Sequence, residues 1–133
     1  MHIMKAAKRR VLIIDDEVAA ARLLKLNLHH TGRYTAETVN NPAQAVAVAR
    51  EFLPDVILLD LMMPEMDGGE VAAQLRAVPA LKDTPIVFLT AAATKSEVAS
   101  NSGFIGGLPF IAKPTRMSEV VKCIEKVCAN PGN

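Results

Sequence analysis

The sequence lacks several features that would assign it to a specialised class. It has no tryptophan, one tyrosine and two cysteines among 133 residues. The cysteines, Cys123 and Cys128, are five residues apart in a segment with helical periodicity, which places them roughly 140° apart around the helix axis. They therefore cannot bond to each other, and their spacing matches no metal motif. A reduced chain in the cytoplasm is the simplest interpretation.

A strong charge of one sign and a long apolar run are also absent. The formal net charge is +1, and only the stretch KAAKRR near the N-terminus is locally basic. Such a chain has no general attraction to nucleic acid or to acidic membranes. No apolar run approaches the ~20 residues of a membrane span, and the N-terminus lacks the apolar core of a signal peptide. We expect a cytoplasmic protein that binds neither membranes nor nucleic acid directly.

What the sequence does contain is an alternation of strand and helix patterns. Five short aliphatic runs predict strands at residues 11–14, 34–39, 56–59, 85–89 and 108–112. Helical periodicity follows at residues 18–30, after Asn41 and Pro42, after Gly69, and over 117–128. Residues 94–107 predict only a short or frayed helix, because SNSG is poor helix material. This alternation implies an α/β domain whose parallel sheet is covered on both faces.

The boundaries and helix faces can also be predicted. We expect one domain over residues 1–133, with a core of about residues 9–129 and a basic tail at residues 1–8. In the first helix, four residues are expected on the inward side: Ala20, Leu24, Asn27 and Leu28.

Reactive side chains follow the ends of four predicted strands. Asp15, Asp16 and Glu17 follow the first strand, and Asp60 ends the third. Thr90 follows the fourth strand and Lys113 the fifth. The carboxyl ends of parallel strands meet at one rim of the sheet, which is where such folds bind ligands.

Carboxylates that converge there repel one another unless a proton or a cation lies among them. Few hard oxygen ligands suit Mg²⁺, which often bridges to a phosphate. A carboxylate beside such an ion can attack a phosphoryl group and form an acyl phosphate. Lys113 and the Thr90 hydroxyl would then supply a positive charge and a hydrogen-bond donor. Taken singly, each of these residues also has a structural interpretation, as a helix cap, a turn or a strand end. Their joint occurrence favours a site.

Four motifs carry a family resemblance over about residues 9–129: VLIIDDE, DVILLDLMMPEMDGGE, IVFLTA and FIAKP, in that order. With them, the chain resembles the receiver domain of bacterial two-component response regulators. The resemblance implies a flavodoxin-like fold, a five-stranded parallel sheet in order 2-1-3-4-5 flanked by five helices.

The resemblance also implies roles for individual residues. Asp60 would be the phosphoacceptor, Lys113 would pair with the phosphoryl group, and Thr90 would hydrogen-bond to it. The metal ligands for Mg²⁺ would be Asp15, Asp16 (the preferred direct ligand), Asp60 and the backbone carbonyl of Met62. The ring of Phe110 would swing inward as Thr90 shifts, and the peptide bond before Pro114 would be cis.

The implied partners are a sensor histidine kinase or a histidine phosphotransfer protein as donor, and a downstream protein target. The domain would catalyse its own phosphorylation and dephosphorylation without being a turnover enzyme. Phosphorylation would switch the loop after the fourth strand, the fourth helix, the fifth strand and the last helix.

Two departures from the family pattern concern this output surface and the phosphoryl lifetime. Leu108 and Pro109 stand where many relatives carry acids. With residues 103–105 they form either an apolar partner or homodimer patch, or a segment whose Phe104 and Ile105 pack inward. Met62 and Ala92, at positions that modulate phosphoryl loss, are apolar and cannot orient a water molecule.

Two other functions remain as alternatives. A phosphatase of the haloacid dehalogenase type needs a second acid two residues after the nucleophile, where this chain has Met62. A degenerate receiver acting as a binding scaffold is disfavoured by the complete set of acids, threonine and lysine. Whether the chain is a stand-alone receiver or part of a hybrid kinase or longer regulator is left open by its sequence.

Overall fold

The computed structural model describes residues 7–64, 66–91, 104–105 and 108–129. Two predictions therefore lie outside the described residues: the position of Ala92, and all but two residues of the helix expected at residues 94–107. The basic tail is described only from residue 7 onward.

Strands and helices alternate along the described chain. The strands are β1 (Arg9–Ile14), β2 (Tyr34–Val39), β3 (Val56–Asp60), β4 (Ile86–Thr90), β5 (Phe104–Ile105) and β6 (Leu108–Ala112). The described α-helices are α1 (Val18–His30), α2 (Ala45–Phe52), α3 (Gly68–Arg76) and α4 (Met117–Ala129). Short 3₁₀ turns at Pro42–Gln44 and Pro79–Leu81 precede α2 and β4.

Five of the strands form the predicted parallel sheet. Their order is β2-β1-β3-β4-β6, and every neighbouring pair among them is parallel. This is the order 2-1-3-4-5 of the flavodoxin-like fold, so the predicted fold is confirmed. The second predicted strand lies at the open edge of the sheet, as expected.

The edge beyond β6 differs from the prediction. Phe104 and Ile105 form the two-residue strand β5, antiparallel to β6, with Phe104 opposite Pro109 and Ile105 opposite Leu108. The expectation that Ile105 belongs to a helix is therefore wrong. The sequence offers a reason for the absence of a helix at Ile105, because the next two residues are glycines and glycine disfavours helix.

Hydrophobic side chains fill both faces of the sheet. Val11 and Ile13 of β1 pack with residues of α1 and α4, whereas Leu12 and Ile14 pack on the opposite side with residues of α2 and α3. Every residue of β3 and β4 is buried. The continuous aliphatic runs of these central strands follow from burial on both faces.

The inward face of α1 agrees with the prediction in part. Ala21, Leu24 and Leu28 are buried, whereas Asn27 is exposed. The prediction is therefore confirmed for Leu24 and Leu28 and wrong for Asn27, while Ala20 is half-buried. Consecutive alanines at residues 19–21 and leucines at four nearby positions allow several apolar stripes, so periodicity alone does not select one.

Candidate functional site

The sheet delivers four reactive side chains to one rim. Asp15 follows β1, Asp60 ends β3, Thr90 ends β4, and Lys113 follows β6. Asp60 pairs in register with Leu89, and Thr90 pairs with Ala112. The relative exposures of Asp15, Asp60 and Thr90 are only 2%, 3% and 1%. The predicted residues are thus brought together, largely out of solvent.

Three carboxylates form the core of this rim. One carboxylate oxygen from each of Asp15, Asp16 and Asp60 lies within 4.8 Å of the others. Asp16 is partly exposed, so the cluster opens to solvent on its side. The side-chain amide of Asn40, just after β2, donates to the backbone carbonyl of Asp15 at 2.9 Å and so supports the loop after β1.

Lys113 reaches into the cluster from the other side. Its Nζ donates to Glu17 Oε1 at 2.8 Å, to Asp15 Oδ2 at 3.1 Å and to Asp60 Oδ2 at 3.5 Å. Burial by itself would lower the pKa of the Lys113 ammonium, but its hydrogen bonds to Glu17 and Asp15 outweigh burial and raise that pKa. Lys113 therefore stays charged beside Asp60.

Burial makes the ionised form of Asp60 less favourable than it would be in water. Burial raises the pKa of its carboxyl to about 6, and the charge of Asp15 adds to this, against the opposing effects of the Met62 N–H and Lys113. The Met62 N–H donates to Asp60 Oδ1 at 3.1 Å, so one oxygen is held by the backbone while the other faces Lys113. One lysine does not fully compensate the buried negative charge.

This donor set fits a small divalent cation. Carboxylate oxygens are the ligands that Mg²⁺ prefers, and one oxygen of each of the three acids lies close enough to the others to share one ion. Asp15, Asp16 and Asp60 could hold such an ion. The backbone of Met62 already contacts Asp60 from the adjoining loop.

The two predicted switch residues lie on neighbouring strands. Thr90 is buried at the end of β4, and its backbone carbonyl accepts from the Lys113 N–H at 2.9 Å. The half-buried ring of Phe110 stacks on Phe88, with centroids 5.3 Å apart and planes inclined by 27°. The peptide bond between Lys113 and Pro114 is cis, which confirms that expectation.

Two contributors to the site were not singled out from the sequence. Glu17 supplies the shortest contact to Lys113, and Asn40 holds the backbone of Asp15. Glu17 was visible as a third acid after β1, but a position next to an acid pair does not reveal which cation it meets. Asn40 follows the edge strand β2, and its amide supports the site through the backbone of Asp15 and not through a reactive group.

Comparison with known proteins identifies the family. The sequence profile of the response regulator receiver domain matches residues 11–125. The chain belongs to this family. Receiver domains are modules of two-component signalling, in which response regulators pair with histidine kinases. The recognition made from the four motifs is confirmed.

Relatives and solved structures agree with the family. The chain is 41% identical over 114 residues to the transcriptional regulatory protein ResD of Bacillus subtilis, a match covering 84% of this chain and 45% of ResD. A putative response regulator from Chloroflexus aurantiacus has a TM-score of 0.77 at 30% identity, covering 93% of this chain and all of that one. The receiver domain of a histidine kinase from Syntrophus aciditrophicus has a TM-score of 0.72 at 30% identity, covering 91% and 90%.

Two further findings bear on the protein as a whole. The chain spans about half the length of the curated relatives it matches. Within the part of the chain that the structure describes, no helix is long and apolar enough to cross a membrane.

Proposed function

We propose that this receiver domain accepts a phosphoryl group on Asp60 from a histidine kinase or a histidine phosphotransfer protein. One observation carries the proposal. Asp60 is a buried carboxylate at the rim of the sheet, within 4.8 Å of two other acids through its oxygens and 3.5 Å from Lys113. That combination places a nucleophile, a cation-binding cluster and a fixed positive charge at one point.

The chemistry assigned to this chain's residues is a displacement at phosphorus. An oxygen of ionised Asp60 forms the new bond to phosphorus as the bond to the donor nitrogen breaks, and the nitrogen leaves with its electron pair. Lys113 provides positive charge for the phosphoryl oxygens, and the Thr90 hydroxyl provides a hydrogen-bond donor. Catalysis of this kind depends on positioning and on charge stabilisation.

The proposed cofactor is Mg²⁺, held by Asp15, Asp16, Asp60 and the backbone carbonyl of Met62. When bound, it neutralises charge on the carboxylates and on the phosphoryl oxygens. Asp15 has the further role of fixing the loop after β1, because its Oδ1 accepts from the backbone N–H of Glu17 at 2.9 Å.

The proposed output is a switch in surface structure. A phosphoryl group adds about −1.5 to −2 charges and new acceptor oxygens beside Asp60. Thr90 and Lys113 would move toward it, and Phe110 would follow with a change in its packing against Phe88. The affected surface is β6, α4 and the segment between β4 and β6. Leu108 on β6 belongs to that surface, where this apolar residue is 50% exposed.

The wider assignments remain proposals of the same kind. We propose one receiver domain over residues 1–133, a cytoplasmic location, a downstream protein target and self-catalysed phosphorylation and dephosphorylation without substrate turnover. Direct nucleic-acid binding is not expected from a net charge of +1, although ResD is a transcriptional regulatory protein. A homodimer through the surface around Leu108 is a further option.

Two alternatives are less well supported. A binding scaffold without phosphorylation does not explain why Asp60 is buried against an acid cluster with Lys113. A phosphatase that uses an aspartyl phosphate would need an acid at Met62, whose side chain is 62% exposed and apolar.

The test is phosphoryl uptake from a small donor. The protein is incubated with acetyl phosphate or phosphoramidate and Mg²⁺, and its mass is measured. We expect an adduct of about 80 Da, corresponding to one acyl phosphate. It should be absent in Asp60→Asn and present in Asp67→Asn, a matched change at an exposed helix cap that asparagine can also serve. An unmodified wild-type protein, or an undiminished adduct in Asp60→Asn, would contradict the proposal.

A further inference from the structure

Lys113 makes its shortest contact with a residue outside the acid cluster. Glu17 Oε1 lies 2.8 Å from Lys113 Nζ, compared with 3.1 Å to Asp15 and 3.5 Å to Asp60. The Glu17 side chain is 63% exposed, whereas that of Lys113 is 15% exposed. An exposed carboxylate thus holds the ammonium at the point where it enters the site.

Among the described residues, the Glu17 side chain has no hydrogen-bond or ion-pair partner other than Lys113. Glu17 is the N-cap residue of α1, a position where a side chain commonly accepts a hydrogen bond from the first turn. Glu17 makes no such capping bond. Its backbone N–H is bound by Asp15 Oδ1, which leaves the carboxylate directed at Lys113.

We propose that Glu17 is a positioning residue that holds the Lys113 ammonium away from Asp60, and that a phosphoryl group on Asp60 must compete with Glu17 for it. The inference rests on the proposed function, because it concerns how readily Lys113 becomes available to the phosphoryl group.

The number of donors on Lys113 limits its partners. A lysine ammonium has three N–H donors, and in this structure three carboxylates, those of Asp15, Glu17 and Asp60, accept from Lys113. A phosphoryl oxygen can accept a hydrogen bond from Lys113 only if one of these three hydrogen bonds weakens or is replaced. The bond to Asp60 is the longest and the bond to Glu17 the shortest, so Glu17 is the main competitor.

Removing the charge of Glu17 should therefore favour the phosphorylated state. The pair is partly exposed, so its effect should be that of an ordinary surface ion pair, roughly a two- to fivefold change in an equilibrium constant. Glu17→Gln keeps the shape and length of the side chain while weakening its hold on the ammonium.

The first test is an equilibrium double-mutant cycle with beryllofluoride, a phosphoryl analogue, in the presence of Mg²⁺. Bound and free fluoride are measured by ¹⁹F NMR for wild type, Glu17→Gln, Lys113→Met and the double variant. We expect Glu17→Gln to bind about two- to fivefold more tightly than wild type. It should have no effect in the Lys113→Met background, because Glu17 acts through Lys113.

A matched control separates this effect from a general loss of negative charge. Glu37→Gln removes a carboxylate that pairs with Lys25 at 3.8 Å on the edge of the sheet, and it should leave beryllofluoride affinity unchanged. A gain in Glu37→Gln equal to that in Glu17→Gln would overturn the proposal. So would a Glu17→Gln effect that persists in Lys113→Met.

The second readout is the ¹⁵N NMR signal of the Lys113 ammonium, which needs no phosphorylation. Glu17→Gln should shift this signal in the free protein and leave it nearly unchanged in the beryllofluoride-bound protein. This measurement decides the case if Lys113→Met binds beryllofluoride too weakly to measure. No shift in the free protein would overturn the proposal.

The two proposals fail in different ways. If acetyl phosphate does not modify Asp60 in wild type, the proposed function fails, whatever the ammonium signal shows. If Asp60 is phosphorylated but Glu17→Gln does not shift the Lys113 ammonium signal in the free protein, only the positioning role fails.

Discussion

At the scale of single residues, Asp60 combines burial with charge. Its carboxyl is 3% exposed, next to Asp15, and has a pKa raised to about 6 from an ordinary 3.8. A folded-state pKa above the unfolded value means that the folded protein binds the proton more tightly. The stabilisation from this proton is complete below about pH 4 and is lost as pH rises through about 6.

The first prediction concerns the stability of the metal-free protein. Between pH 5 and 7 in EDTA, its free energy of unfolding should fall as Asp60 ionises, with a contribution on the order of 2 kcal/mol. Asp60→Asn should lack that contribution and be more stable than wild type at pH 7. Urea unfolding at several pH values measures both proteins. Parallel pH profiles for the two would contradict the prediction.

At the scale of elements, the junction between β3 and α3 depends on close backbone packing. Gly68 is the first residue of α3, and its N–H donates to the carbonyl of Leu61 at 2.9 Å. A Cβ at this position would lie 2.6 Å from the backbone oxygen of Asp60 and 2.7 Å from the Cα of Leu61. The helix can approach the loop after Asp60 only because Gly68 has no side chain.

The second prediction follows from this contact. Gly68→Ala should lower the free energy of unfolding by about 1–3 kcal/mol, because backbone atoms must shift to admit the methyl group. It should also slow phosphoryl uptake, since the shift moves Asp60. Gly69→Ala is the control, because its Cβ would meet only the Asp67 side chain, at 3.1 Å. Equal stability of the two variants in urea unfolding would show the prediction to be wrong.

A second connection between elements joins the start of β2 to α4. The Tyr34 hydroxyl donates to Glu125 Oε2 at 2.7 Å, and Tyr34 is 1% exposed. Burial, followed by this hydrogen bond, raises the pKa of Tyr34 to about 12. The side chain therefore acts as a neutral donor that ties an edge strand to the last helix.

The third prediction concerns this hydrogen bond. Tyr34→Phe should lower the free energy of unfolding by about 0.5–1.5 kcal/mol, the usual net value of such a bond. Glu125→Gln should cost less, because the amide oxygen can still accept. Urea unfolding at pH 7 compares the two variants, and a Tyr34→Phe protein as stable as wild type would exclude a stabilising role.

At the scale of the whole molecule, repulsion among the clustered carboxylates lowers the stability of the folded state until a cation or a proton neutralises part of their charge. Three carboxylates converge at the ends of two strands, because Asp15 and Asp16 follow β1 and Asp60 ends β3, so the cluster exists only in the folded chain. A cation that binds this cluster binds the folded state and not the unfolded one. It should therefore stabilise the entire domain by mass action.

The fourth prediction is a Mg²⁺-dependent melting temperature. Tm should rise with Mg²⁺ concentration, by an amount corresponding to about 2.7 kcal/mol at one hundred times the dissociation constant. Removal by EDTA should reverse the rise. Asp16→Asn should weaken the response strongly, whereas Asp67→Asn should respond like wild type. A Tm independent of Mg²⁺ in wild type would refute the proposed metal site.

Much of the architecture followed from local patterns. The bounds of α1, β2 and β6 match the predicted segments. Each segment lies between residues that favour loops or helix caps, so its limits are visible in the local sequence. The two residues of β5 and part of the inward face of α1 could not be predicted correctly from local sequence patterns. A two-residue strand has no periodicity, and a helix with apolar residues on several sides has more than one face that could be buried.

The sequence by itself determined the α/β fold, the strand order through its family motifs, and the residues expected at the carboxyl ends of the strands. These features are local, since each depends on neighbouring residues and on where a strand stops. Only the tertiary structure decided that Lys113 contacts Glu17 more closely than Asp60, and that Gly68 packs against the Asp60 backbone. Such contacts join residues that are distant in sequence, so they depend on how strands and helices are placed in space.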